Sequence, residues 1–150
     1  ELLSVKCVSF QELLRESDIL SIHVPLTPET EHSIGMKEIR LMKQGAIIIN
    51  TSRGAVLDYE ALYVALTDGH IATAGLDVFD PEPPPRSHPI FKLPNVIVTP
   101  HVAAYSEEAA AERAKNITQD VLLILQGKRP LRAVNVRQIF KKGGGNYDAE

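Results

Sequence analysis

A chain of 150 residues with 44% apolar side chains is long enough to bury one sizeable core, and no internal repeat divides it further. A formal net charge of −3, with lysines and arginines scattered, offers no basic field for a phosphate backbone, so nucleic acid is excluded as an expected partner and small molecules or proteins are left. The lone cysteine, Cys7, excludes an internal disulfide and a cysteine-rich metal site, no apolar run approaches the ~20 residues that cross a bilayer, and the acidic, serine-bearing start is unlike a signal peptide; a cytoplasmic protein with no metal is expected.

Ser9 followed by Glu12 forms a capping-box pattern, and Phe10, Leu13 and Leu14 share a helical face, which predicts a short helix ending near Glu16. Ile19, Leu20 and Ile22 then read as a strand that runs into His23 and Val24 and is closed by Pro25. A loop covers Thr27 to His32, a brief helix Lys37 to Met42, and after Gly45 the run Ala46-Ile47-Ile48-Ile49 predicts a strand buried on both faces. Asp58 is the expected N-cap of a helix through Leu62 and Leu66, with Gly69 at the position after its end that favours a left-handed residue. Ile71 to Leu76 is the third strand.

Prolines at 81, 83, 84, 85 and 89 exclude a helix or interior strand from Asp80 to Pro89 and predict a stiff, irregular loop. Val96, Ile97 and Val98 form the fourth strand. Ser106, Glu107 and Glu108 supply a cap and negative charge for a helix whose apolar positions Ala110, Ala114, Ile117, Val121 and Ile124 lead to Gly127. Strands alternating with helices predict right-handed crossovers and a doubly wound, parallel α/β sheet of about four strands.

Four segments each place a polar group just beyond an apolar run: Asn50 to Gly54, Gly75 to Val78, Asp80 to Pro83 and Thr99 to His101. Ligands of open parallel sheets bind outside the carboxyl ends of the strands, so these segments are expected to converge on one crevice. His101 titrates nearest neutrality and can exchange a proton in turnover; Glu82 could orient its ring and stabilise the imidazolium. Arg53 could grip a substrate carboxylate with two parallel bonds beside Gly54, where the backbone can come close. Asp77 could hold an amide such as that of a nicotinamide. Each residue also has a plainer reading: arginine as surface, aspartate as turn former, glutamate as exposed loop, and His23, His32, His70 and His88 as structural or solvated. Their common placement at strand ends favours a site.

His23-Val24-Pro25-Leu26-Thr27, together with Asn50 to Gly54, Gly75 to Glu82 and Thr99 to His101, resembles the D-isomer-specific 2-hydroxyacid dehydrogenases from about Val8 to Asn135. Tyr105-Ser106-Glu107, Gly127-Lys128-Arg129-Pro130 and Val134-Asn135 are most similar to the branch of the C-terminal-binding-protein corepressors and their bacterial relatives, close to phosphoglycerate dehydrogenases. The resemblance implies a partial Rossmann-type fold and hydride transfer between NAD and C2 of a small 2-hydroxy or 2-oxo acid. It maps the proton donor and acceptor to His101, its carboxylate partner to Glu82 and the substrate anchor to Arg53. Cofactor contacts fall on Val24, Pro25, Thr51, Ser52, Arg53, Asp77, His101, Ala103 and Ala104.

The family's Gly-x-Gly-x-x-Gly turn, which cradles pyrophosphate, has no counterpart among the glycines of this chain, nor has the acidic residue that decides between NAD and NADP. The expected organisation is therefore the later part of a nucleotide-binding domain over residues 8–127, a return segment toward a substrate domain over 128–140 and a flexible tail over 141–150. The resemblance implies weak cofactor binding and no turnover by these residues alone, and a strand edge near Ile19 that needs an upstream half or a second copy. The competing class is an NAD-responsive interaction module or an inactive truncated one.

Overall fold

The computed structural model describes residues 5–134. Ser9 Oγ accepts the Glu12 amide at 3.2 Å and opens helix α1, Phe10–Glu16, which turns Leu14 inward. Strand β1 is Ile19–Ile22 and helix α2 is Met36–Leu41, one residue earlier at each end than its apolar pattern predicts. Glu38 at the third position of α2 reaches back to the Gly35 amide at 3.3 Å. Strand β2, Ala46–Asn50, leads through a turn to helix α3, Tyr59–Thr67. Asp58 caps α3 as expected, its Oδ1 accepting the amides of Glu60 at 2.9 Å and Ala61 at 3.0 Å, and Gly69 stops it at φ +77°. Strands β3, Ile71–Leu76, and β4, Val96–Val98, complete the sheet.

All pairings are parallel and the order is β1-β2-β3-β4, which bears out the α/β sheet of about four strands. Helices α2 and α3 pack side by side, and α2 also meets α1. The side chains beneath them, Leu20, Ile22, Ile48, Ala74 and Leu76, join Leu14, Ile39, Leu62 and Ile71 in the core. Ile47 and Ile49 point the other way and are only half-buried, so the expectation that this strand is covered on both faces does not hold for the described residues.

The register decides where chemistry can happen. Ile22 pairs with Asn50, Asn50 with Leu76 and Leu76 with Val98, so the four strands end level. The next residues of each strand therefore emerge along one edge: His23 to Pro25, Thr51 to Arg53, Asp77 to Glu82 and Thr99 to His101.

The chain divides at Ala103/Ala104 into two compact units. In the second, Ser106 Oγ accepts the Ala109 amide at 3.1 Å and opens helix α4, Glu107–Leu125. The helix closes in a Schellman motif: Lys128 N–H donates to the Leu123 carbonyl at 2.8 Å, Gly127 N–H to Ile124 at 2.9 Å, and Gly127 takes φ +71°. Asp120 then accepts the Leu131 amide at 2.9 Å and folds the following segment back on the helix. No helix among the described residues is long and apolar enough to cross a membrane. The expected return segment is described only as far as residue 134, and the expected tail lies outside the described residues.

Candidate active site

His101 and Glu82 meet. Nδ1 of the imidazole lies 2.8 Å from Glu82 Oε1, and with the carboxylate ionised the ring nitrogen carries the proton and donates. Both side chains keep roughly half their exposure, and no hydrogen bond among the described residues engages Nε2. The backbone of His101 sits in the left-handed region at φ +56°, where a side chain stays only if its surroundings hold it. The holding group is Asp77: its carbonyl accepts the His101 amide at 2.9 Å, Oδ1 accepts the Val102 amide at 2.9 Å and the Thr99 hydroxyl, and Oδ2 accepts the Ala103 amide at 2.9 Å.

Asp77 is buried. Burial works hardest, against ionisation, but the hydrogen bonds from Thr99, Ala103 and Val102 and the nearby His101 together outweigh it and hold the carboxyl below its ordinary value. The plainer reading of Asp77 as a turn former is thus part of the answer. Among the described residues Oδ2 accepts one hydrogen bond, so it retains a lone pair that suits the amide contact expected from the resemblance.

A cavity of about 390 Å³ opens beside this pair, lined by Asp77, Phe79, Glu82, Pro83, Pro84, Val98, Thr99, Pro100 and His101. The prolyl bonds Asp80–Pro81 and Glu82–Pro83 are both cis. Tyr59 supports the cavity from behind: its hydroxyl donates to the Val78 carbonyl, and its ring meets Phe79 with centroids 5.3 Å apart. Burial first, then the negative charges of Glu82 and Asp80, push the Tyr59 phenol well above its usual value, against a smaller opposing effect of Asn50.

Arg53 leaves the same sheet edge but does not line that cavity. Its Nη1 donates to the Ser52 carbonyl at 2.6 Å and the side chain is exposed. What ties its turn to the rest is Gly54. A Cβ there would lie 2.0 Å from the Phe79 carbonyl carbon and 2.6 Å from the Asp80 amide nitrogen, so the turn rests directly on the backbone that leads to Glu82.

The other expected cofactor positions are spread along the edge. Val24 lines a second cavity, of about 310 Å³, with Phe10, Leu13, Leu20, Ile22 and His23, and the Pro25 carbonyl accepts the Thr30 hydroxyl at 2.6 Å. Thr51 is half-buried; Ser52 is buried and its hydroxyl donates to Asn50 Oδ1 at 2.9 Å. Ala103 is exposed beyond its bond to Asp77; Ala104, in the second unit, accepts Arg113 Nη1 at 3.2 Å. Most of the remaining histidines are engaged elsewhere: His23 with the Ser21 hydroxyl at 2.7 Å, His70 with the Ile39 carbonyl at 2.9 Å, and His88 with the Ile90 amide at 3.3 Å. No group of three or more potential metal ligands occurs among the described residues.

Two contributors escape the sequence reading. Asn50 enters it only as part of a segment, and Thr99 only as the neighbour of His101, yet both anchor the turns just described. The sequence signal for Asn50 is a polar side chain closing an apolar strand at an inward position; its partners cannot be read without the register.

The family described as D-isomer specific 2-hydroxyacid dehydrogenase, NAD binding domain, matches residues 1–103. A glyoxylate reductase of Korarchaeum cryptofilum is 47% identical over 133 residues, covering 89% of this chain and 40% of the relative. The TT0316 protein of Thermus thermophilus superposes with a TM-score of 0.80 at 42% identity, over 89% of this chain and 43% of that one. A D-isomer specific 2-hydroxyacid dehydrogenase of Lactobacillus delbrueckii ssp. bulgaricus, solved in an NAD-complexed form, gives a TM-score of 0.76 at 38% identity, over 85% of this chain and 43% of that one. This chain spans about two fifths of the length of these relatives.

Proposed function

Because the chain belongs to the D-isomer specific 2-hydroxyacid dehydrogenase family, within its NAD binding domain, we propose that it forms the nicotinamide side of an enzyme that reduces 2-oxo acids to D-2-hydroxy acids. The observation that carries this reading is the 2.8 Å contact between His101 and Glu82 at the mouth of a cavity along the carboxyl ends of the strands. The residues fit the nicotinamide end of the cofactor. Asp77 has a free lone pair for an amide, and Val24, Pro25 and Thr51 lie on the same sheet edge, whereas a pyrophosphate cradle is missing from the 150-residue sequence.

NADH, when bound, supplies the hydride that adds to C2 of the substrate. Arg53 holds the substrate carboxylate with its planar, permanently charged guanidinium and turns C2 toward the cavity. The bond from Nη1 to the Ser52 carbonyl leaves other N–H groups of the guanidinium for the carboxylate. His101 donates its Nε2 proton to the oxygen that gains charge at C2, and Glu82 stabilises the imidazolium beforehand and fixes the proton on Nδ1 afterwards. In the oxidative direction the neutral ring, with Nδ1 still donating to Glu82, presents Nε2 as the base.

The exposed edge strand β1, with Ile19 58% accessible, supports pairing with an upstream half of the same domain or with a second copy in a homodimer. The single exposed cysteine suits a cytoplasmic setting. The test joins this chain to the complementary part of the Korarchaeum cryptofilum glyoxylate reductase and follows NADH oxidation with glyoxylate. His101→Ala and Glu82→Gln are each expected to lower kcat by roughly 10²–10⁴-fold with the NADH affinity retained. Full turnover by the His101→Ala protein would overturn the reading.

A further inference from the structure

Among the described residues, three buried polar side chains, Asn50, Ser52 and Asp77, belong to one connected group. Asn50 has no exposed surface at all. Its Oδ1 accepts the Ser52 amide at 3.0 Å and the Ser52 hydroxyl at 2.9 Å, and its Nδ2 donates to the Arg53 carbonyl at 3.0 Å. Its own carbonyl accepts the Asp77 amide at 3.0 Å, and the Asp77 carbonyl accepts the His101 amide at 2.9 Å. Three strand ends are therefore linked in series, from the turn of Arg53 through Asp77 to the turn of His101.

A buried amide costs stability unless its bonds are made, and an apolar residue at this inward position would pack as Leu76 does on the next strand. The side chain of Asn50 supplies both an acceptor and a donor to residues two and three positions ahead, so it determines the path of the chain through Arg53. We infer that Asn50 is a positioning residue that holds Arg53 for the substrate carboxylate. Ser52 is the intermediate in that arrangement, with its hydroxyl hydrogen committed to Asn50. The inference rests on the proposed reading of Arg53 as the carboxylate anchor.

In the joined enzyme, Asn50→Ala is expected to raise the KM for glyoxylate roughly 10²-fold, as misplacement of a positioning group does, with little change in the KM for NADH. Arg53→Ala should raise it at least as much, and the double variant should be no worse than Arg53→Ala alone, because the effect of Asn50 passes through Arg53. Additive losses would overturn the inference and leave the function intact. An Arg53→Ala enzyme with unchanged KM would instead overturn the role of Arg53. Asn50→Asp keeps the acceptor for Ser52 and replaces the donor to Arg53 with a buried, negatively charged oxygen that repels the Arg53 carbonyl, and it is expected to show the same KM split if the alanine variant does not fold. In the 150-residue chain, faster amide hydrogen exchange at Ser52 in Asn50→Ala, absent in Arg53→Ala, is the companion result. Unchanged exchange at Ser52 would count against the proposal whatever the enzyme does.

Discussion

Replacing Gly54 by alanine puts the close approach of two strand-end loops to a direct test. The added carbon would lie 2.0 Å from the Phe79 carbonyl carbon and 2.1 Å from its oxygen, whereas ordinary contact begins near 3.4 Å. Every atom it meets is backbone, so no rotamer change relieves the overlap, and the turn of Arg53 has to part from the segment leading to Glu82. Overpacking with backbone displacement costs ~3 kcal/mol. With a urea dependence of about 2 kcal/mol per molar, the unfolding midpoint should fall by ~1.5 M. The control is Gly45→Ala, which meets nothing within 4 Å and suffers only from its φ of +83°. That substitution should cost ~1–2 kcal/mol, a visibly smaller shift. Both variants are followed by circular dichroism of the 150-residue chain in urea. A Gly54→Ala midpoint indistinguishable from that of the parent, or a larger loss at Gly45, would refute the steric reasoning.

The remaining predictions concern charge and capping. Because the folded Asp77 carboxyl is held below its ordinary value of 3.8, its contribution is complete above that pH and is lost as the pH falls through the folded value; the urea midpoint of Asp77→Asn should therefore decline less on acidification than that of the parent. The Tyr59 phenol is raised above 10.0, so its contribution is complete below that pH and disappears as the pH rises toward the folded value, and Tyr59→Phe should flatten the alkaline decline seen by urea titration. Asp58→Ala removes the acceptor for two amides of α3 and should cost ~1 kcal/mol by thermal melting, an effect that Asp58→Ser restores in large part.

Much of this arrangement could be read from local sequence, because its causes are local. The caps at Ser9, Asp58 and Ser106 act within three residues, and the left-handed glycines at 69 and 127 mark helix ends by their missing Cβ. The pairing of His101 with Glu82 follows from two loops leaving adjacent strands, β3 and β4, at the same level. Asp77 was harder, since a carboxylate at a strand end suits either a ligand or a turn, and only the path of residues 99–103 shows three protein donors converging on it. Asn50 was out of reach because its burial depends on a helix layer assembled from distant segments. The partial exposure of Ile47 and Ile49 was hidden for the same reason: an unbroken apolar run carries no information on which of its faces is covered.

Strand order has a consequence for the time at which the parts come together. Each strand neighbours the one made just before it, so the sheet can grow by one ribbon at a time as synthesis proceeds from the amino end, without waiting for a distant piece to be delivered. Of Arg53, Glu82 and His101, the imidazole is the last to be made.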